Sequence, residues 1–121
     1  MSNQKNQSLP RRFGFALAGL LHGVRTERSL RLQMIVLALV LVTLAVLRPG
    51  PIWWAAVMLA SAGVLAAELL NTAIETLADH LCPDIDPRIR VVKDCAAAAV
   101  LITVIGAVAV AIALAVHLLR H

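Results

Sequence analysis

Apolar residues along this chain fall into three long runs, separated by two short polar breaks and preceded by a shorter amphipathic stretch. In the amphipathic stretch, Phe13, Leu17, Leu20 and Val24 recur at spacings of four, three and four, which places them on one helix face. Arg11, His22 and Arg25 lie opposite. The pattern predicts a helix over 11–31, and the long apolar run after it assigns that helix to a membrane surface, cations toward the headgroups. The polar residues 1–10 before it are expected to be flexible. The first run, Met34 to Leu47, is apolar except for Thr43 and is shorter than the roughly 20 residues a span needs. A span over 32–47 is expected, its helix beginning near Ser29, with Arg28 and Arg31 snorkelling to the headgroups. Arg48-Pro49-Gly50-Pro51 is a turn that no helix crosses intact. The second span is expected over 52–81, with Trp53-Trp54 at its start suited to an interfacial aromatic belt. Pro83 and Pro87 mark a loop from Cys82 to Arg90. The third span is expected over 91–119, uncharged from Cys95 to Val116, with Ala96 to Ala99 and Gly106 offering small surfaces for close helix packing.

The polar residues that interrupt the second run carry more information than the apolar ones. Glu68, Asn71, Glu75 and Asp79 step by three, four and four, so at about 100° per residue they fall within an arc of roughly 80° on one helix face. Thr72 borders this stripe, while Leu69, Leu70, Ile74 and Leu77 cover the rest of the surface. A helix leaving the membrane and turning amphipathic explains Asp79 and Glu75. It does not explain Glu68 and Asn71, one to two turns deeper, because a carboxylate at mid-membrane costs about 2.5–3.5 kcal/mol on insertion scales.

Composition narrows the class. With 121 residues one domain is expected, 1–121, and 60% hydrophobic against 15% charged residues exceeds what a soluble domain of this size can bury. The sequence therefore reads as an all-α integral membrane protein: one surface helix and three transmembrane helices. No nucleic-acid partner is expected. Cys82 and Cys95 form no Cys-x-x-Cys pair and are expected to be reduced and structural. His22, His80, His117 and His121 are scattered, so no zinc site is expected. No long apolar core precedes Gln33, so no cleaved leader is expected.

The formal net charge is +4, and where the basic residues sit sets the orientation. Lys5, Arg11, Arg12, Arg25, Arg28 and Arg31 precede the first span, and Arg88, Arg90 and Lys93 lie between the second and third. The other two ends hold Arg48 and Arg120. The N-terminus and second loop are expected in the cytoplasm, and the Arg48 turn and the C-terminus outside. Glu27, Glu75, Asp79, Asp84, Asp86, Lys93 and Asp94 then share one cytoplasmic boundary. Glu68 lies about 10 Å deeper than Glu75 at 1.5 Å per residue.

Carboxylates at that boundary, with a lysine, suit a metal–polyphosphate ligand, since Mg²⁺ takes one or two carboxylates and fills its shell with water and phosphate oxygens. Lys93 can neutralise phosphate charge. Glu68, deeper and less solvated, suits proton abstraction from a lipid hydroxyl. These parts describe phosphoryl transfer to a membrane alcohol. No GxxxxGK[ST], GxGxxG or HRD-type motif is present, which excludes the soluble kinase plans. A small proton- or cation-coupled transporter would use the same intramembrane carboxylates. For the lesser residues, plainer roles stand beside these: Glu27 pairing with Arg31 at i,i+4, Asp84 and Asp86 in a solvated loop, Lys93 snorkelling at the boundary.

Glu68-Leu69-Leu70-Asn71-Thr72-Ala73-Ile74-Glu75, then Asp79, then Val92-Lys93-Asp94-Cys95, resembles the prokaryotic diacylglycerol kinase family, which includes the undecaprenol kinases. The family signature is E-x-x-N-[ST]-A-x-E-x-x-x-D followed by A-K-D, and only the Ala differs, replaced by Val92. The likeness extends upstream through Gly14, Gly19, Glu27 and Arg31. It implies a homotrimeric bundle of protomers, each with a surface helix and three transmembrane helices. It also implies active sites shared between subunits and MgATP as phosphoryl donor. By matching position it makes Glu68 the general base and Glu27 and Glu75 the ligands of the Mg²⁺ that carries ATP. Asn71, Asp84, Asp86, Lys93 and Asp94 join those two glutamates at the nucleotide, and Ser29, Arg31, Gln33 and Ala97 join Glu68 at the lipid. Phe15 stands where some members carry a nucleotide-contacting Tyr, and Gln33 where some have Glu and others His. Diacylglycerol is the leading lipid. Undecaprenol is the alternative, because Thr26-Glu27-Arg28-Ser29-Leu30-Arg31 looks more like the E-R-[NS]-x-R version of the undecaprenol kinases.

Overall fold

A computed structural model describes residues 6–121. Four α-helices occupy nearly all of that length: α1 Leu9–Thr26, α2 Arg28–Leu47, α3 Pro51–Leu81 and α4 Pro87–Arg120. Among the described residues no strand occurs, and α2, α3 and α4 are each long and apolar enough to cross a membrane. The flexible tail expected over 1–10 lies outside the described residues as far as residue 5, and Leu9 and Pro10 already belong to α1.

The helix expected over 11–31 ends early, at Thr26. Glu27 takes an extended backbone (φ −107°, ψ 116°), and the chain turns there into α2. Two contacts make the turn. The Glu27 N–H still donates to the Gly23 carbonyl at 2.8 Å. The Arg31 guanidinium donates to the carbonyls of Val24 (3.1 Å) and Arg25 (2.9 Å), groups otherwise left open at the end of α1. The polar periodicity of α1 runs on through Arg28 and Arg31 of α2, which is why pattern alone does not locate the break. Leu30, only 1% exposed, fills the inside of this corner against Gly23.

α2 closes on Arg48 in the left-handed region (φ 49°), and Gly50 (φ 112°) carries the turn into Pro51, the first residue of α3. Only glycine takes the Gly50 conformation without strain. α4 begins four residues before the expected Val91. The Asp86 side chain accepts from the Arg88 N–H at 2.9 Å and caps the helix, while Pro87, which has no N–H to leave unpaired, suits the first turn.

α3 and α4 run antiparallel across the short 82–86 connection and form the main packed pair. Ala78 and Ala96, both buried, bring them close near that connection. α2 lies more loosely against α3, and α1 meets the others at the Gly23 corner. Leu30, Leu44, Val57, Ala78 and Ala96 are the buried apolar core of the described residues. Leu101, Ile102, Ile105 and Ile112 of α4 are exposed on its outer side, as expected of a helix whose solvent is hydrocarbon, while Val104 and Leu114 face α2 and α3.

Candidate active site

The polar stripe of α3 faces two different neighbours at its two ends. At the deep end, Glu68 faces α2. The Gln33 amide Nε2 donates to Glu68 Oε1 at 2.9 Å, and the Ser29 hydroxyl donates to Oε2 at 3.4 Å. Ser29 and Gln33 are one helical turn apart, so they meet the two oxygens of a single carboxylate. The amide orientation is set by chemistry: turned round, Gln33 would oppose its carbonyl to the carboxylate. Its carbonyl Oε1 is buried and has no partner among the described residues, and neither has Asn71 Oδ1, one turn along α3 from Glu68. Two buried acceptors without donors beside one carboxylate form a place for a ligand hydroxyl or amide.

At the shallow end, Asp79 faces α4 and pairs with Lys93 through its Oδ1. Glu75 lies one turn deeper and adds to the negative field at the Lys93 ammonium. Glu68 and Asp79 are separated by about 16 Å of helix at 1.5 Å per residue. Counted from Trp53 as an interfacial residue, the roughly 30 Å hydrocarbon layer takes about 20 residues and ends near Thr72. Glu68 then sits just inside that boundary, and Glu75, Asp79 and Lys93 just outside.

An apolar cleft of about 590 Å³ opens between α2, α3 and α4 on the membrane side of Glu68. Gln33 and Leu65 line its polar end, and Thr43, Leu44, Val57 and Leu118 its far end. Between Gln33 and Leu44 it follows about 16 Å of α2. A second cleft, about 680 Å³, lies between α1 and α3, with His22, Thr72, Thr76 and His80 on its wall.

The remaining candidates divide. Glu27 sits half-buried at the α1–α2 break, outside the site's hydrogen bonds. Glu27 and Glu75 do not converge with other ligands: among the described residues no three of His, Cys, Asp and Glu are grouped to hold a metal unaided. A single carboxylate such as Glu75 or Glu27 is the donor type Mg²⁺ takes when phosphate and water complete its shell. Arg31 is engaged as a helix cap. Asp86 is the cap of α4 and pairs with Arg88 at 3.2 Å; the Arg88 side chain and backbone N–H hold its carboxyl below the ordinary 3.8. The Asp84 carbonyl accepts from the Cys82 thiol. Asp94 and Ala97 are exposed on α4.

Sequence reasoning placed Asp79 in the stripe but did not assign it to the site, and it is the group that holds Lys93. The two lie on different helices, so no single-helix periodicity relates them. The motif spacing is the one signal that could have joined them.

The geometry so far is that of a carboxylate between an apolar cleft and a charged pair nearer the 82–86 connection. A family model for prokaryotic diacylglycerol kinase matches residues 14–115. A curated relative from Synechocystis sp., named diacylglycerol kinase, is 34% identical over 99 residues, covering 81% of this chain and 57% of the relative. The chain spans little more than half the length of that relative. A match over this much of the sequence, with the stripe and the Lys93 motif inside it, shows that the chain belongs to the prokaryotic diacylglycerol kinase family.

Proposed function

We propose that the protein is a membrane lipid kinase that transfers the γ-phosphate of ATP to the hydroxyl of diacylglycerol, giving phosphatidic acid. The observation that carries the reading is Glu68, a carboxylate oriented by Gln33 and Ser29 at the polar end of an apolar cleft. The acyl chains occupy the cleft and bring the lipid hydroxyl to Glu68, beside the unpartnered carbonyl of Gln33. Glu68 accepts the hydroxyl proton as the oxygen bonds to the γ-phosphorus and the bond to the β-phosphate oxygen breaks. Glu27 and Glu75 would hold Mg²⁺, which supplies charge neutralisation on the phosphates. Lys93, held by Asp79, meets the phosphates from α4, and Asn71 and Asp94 orient the nucleotide.

The curated relative's name favours diacylglycerol. The Thr26–Arg31 segment favours undecaprenol as the second substrate to test. We place the protein in the bacterial inner membrane with the N-terminus and the 82–86 connection cytoplasmic and the C-terminus periplasmic, following the basic residues. α1 lies at the cytoplasmic surface, its exposed Phe13 and Leu17 turned to the lipid. A single protomer leaves Glu75 half-buried and Asp94 exposed, short of the cover a phosphoryl-transfer site needs, so partner subunits complete it, and the family resemblance makes the assembly a homotrimer.

The test is turnover and ATP affinity of Glu68→Gln and Glu75→Gln across a Mg²⁺ series, with each lipid alcohol offered separately. Glu68→Gln loses about 10²–10⁴-fold in turnover, the range for loss of a general base, with ATP affinity kept. Glu75→Gln weakens MgATP binding, and added Mg²⁺ recovers part of it. Near-normal turnover of Glu68→Gln overturns the base assignment. Cation flux dependent on Glu68, with neither lipid phosphorylated, favours a transporter.

A further inference from the structure

The end of α4 furthest from Lys93 carries a cluster that the kinase reading does not use. His117 and His121 are separated by one helical turn, and their ring centres lie 4.6 Å apart with the planes tilted by 48°. Trp53, at the start of α3, faces the same imidazole, its ring 5.2 Å from that of His117. His117 is half-buried and His121 exposed. The sequence reading treated these histidines as scattered. His117 and His121, at i and i+4, nonetheless share a helix face, and two histidines at that spacing form the bidentate half of known zinc motifs.

The ring separation is one that a chelate can take. An imidazole nitrogen binds its metal at about 2.0–2.1 Å and the ring centre lies about 1.1 Å beyond, so two imidazoles bound at 90–109° have centres roughly 4.5–5.2 Å apart. The observed 4.6 Å falls within that interval, so the last turn of α4 already holds the two imidazoles at a spacing that one ion can span. From Cys95 to His121 no Asp or Glu side chain lies on α4 to pair with the rings.

We propose that His117 and His121 chelate one divalent transition-metal ion of the class that prefers imidazole, with Cu²⁺ the strongest binder, water completing the shell. Mg²⁺, which prefers oxygen ligands, does not compete for it. The chelate closes the last turn of α4 and, through the contact of Trp53 with His117, ties it to the first turn of α3. The site is independent of the phosphoryl-transfer reading.

The contact with Trp53 supplies the assay. The full-length protein is purified without a polyhistidine tag, reconstituted in nanodiscs, and carries Trp54→Phe so that Trp53 is its single tryptophan. Cu²⁺ is titrated with and without a hundredfold excess of Mg²⁺. Saturable quenching of Trp53 is expected, unaffected by Mg²⁺. His117→Ala and His121→Ala should each weaken it at least about tenfold, since losing a ligand costs no less than losing a supporting partner. His22→Ala and His80→Ala should leave it unchanged. Equilibrium dialysis should find one Cu²⁺ per chain, kept in Trp53→Phe and lost in both histidine variants. Absence of saturable binding overturns the proposal, as does full affinity in either His117→Ala or His121→Ala, or loss of binding in His22→Ala or His80→Ala.

Discussion

Gly23→Ala tests the corner on which the site is hung. A Cβ at residue 23 would sit 2.8 Å from Leu30 Cδ2 and 3.0 Å from Leu69 Cδ2, on α2 and α3 respectively. Carbon atoms prefer about 3.5–4.0 Å, so one side must retreat by roughly an ångström. A leucine terminus at the surface would rotate away. Leu30 is 1% exposed and has nowhere to go. Overpacking of such a site costs about 1–3 kcal/mol. Alanine in a helix interior recovers about 1 kcal/mol relative to glycine. The net is a loss of about 0–2 kcal/mol, small enough for the chain still to fold. The strain is relieved where the structure yields most, by α1 moving off α2 and α3. That motion pulls Val24 and Arg25 from the Arg31 guanidinium and carries Glu27 with it, while Ser29 and Gln33, on α2, stay beside Glu68. Gly23→Ala should therefore raise the KM for MgATP several-fold and lower kcat less. Gly19→Ala is the control on the same helix: its Cβ meets nothing within 4 Å, so it gains helix propensity without strain. The assay is steady-state lipid phosphorylation in nanodiscs, with hydrogen exchange over α1 reporting the displacement. If Gly23→Ala matches Gly19→Ala in both readouts, the corner does not position the nucleotide side of the site.

Three further outcomes follow from the same geometry. Gln33→Leu removes the 2.9 Å bond to Glu68 and should lower kcat by about tenfold or more with the KM for MgATP unchanged, as befits a residue that orients the base; a change confined to KM would contradict that role. Asp79→Asn and Lys93→Met should each weaken ATP binding, and the double variant should be no worse than Lys93→Met alone; additive losses would show that the pair does not act as a unit. Because Arg88 holds the Asp86 carboxyl below its ordinary 3.8, the cap is fully present above that pH and is lost as pH falls through the lower folded value; amide exchange at residues 88–90 should accelerate below about pH 4 in the parent and be fast and pH-independent, after correction for intrinsic rates, in Asp86→Ala.

The three spans were legible because hydrocarbon imposes one rule on every residue of a crossing helix. The turn at Arg48–Pro51 was equally plain, since proline and glycine act locally. What escaped the pattern depended on contacts between elements. The break at Glu27 rests on Arg31 reaching back to carbonyls six and seven residues earlier, and on a glycine that admits Leu30. The start of α4 rests on a side-chain cap inside a segment whose prolines read equally well as loop. The motif resemblance supplied Glu68 and Lys93 as site residues. It could not say that Gln33 and Ser29 would share the two oxygens of one carboxylate, or that Asp79 would take the lysine.

These partnerships bear on how so few polar residues could serve two phases at once. Glu68 and Asp79 ride on one continuous helix, so their separation of about 16 Å is fixed by helix geometry and not by loop conformation. α2 supplies donors to the deep carboxylate and α4 a cation to the shallow one, so each end of the stripe is set by a different neighbour. The stripe is thereby held at both ends. α1 meets the rest chiefly at the Gly23 corner and through the bonds of Arg31 to its last carbonyls. On the function proposed above, this arrangement sets the base Glu68 between α2 and α3 and leaves Glu27, at the α1 corner, on the side where the nucleotide enters. The Gly23 and Gln33 variants separate those two halves: the first should act on nucleotide affinity, the second on the chemical step.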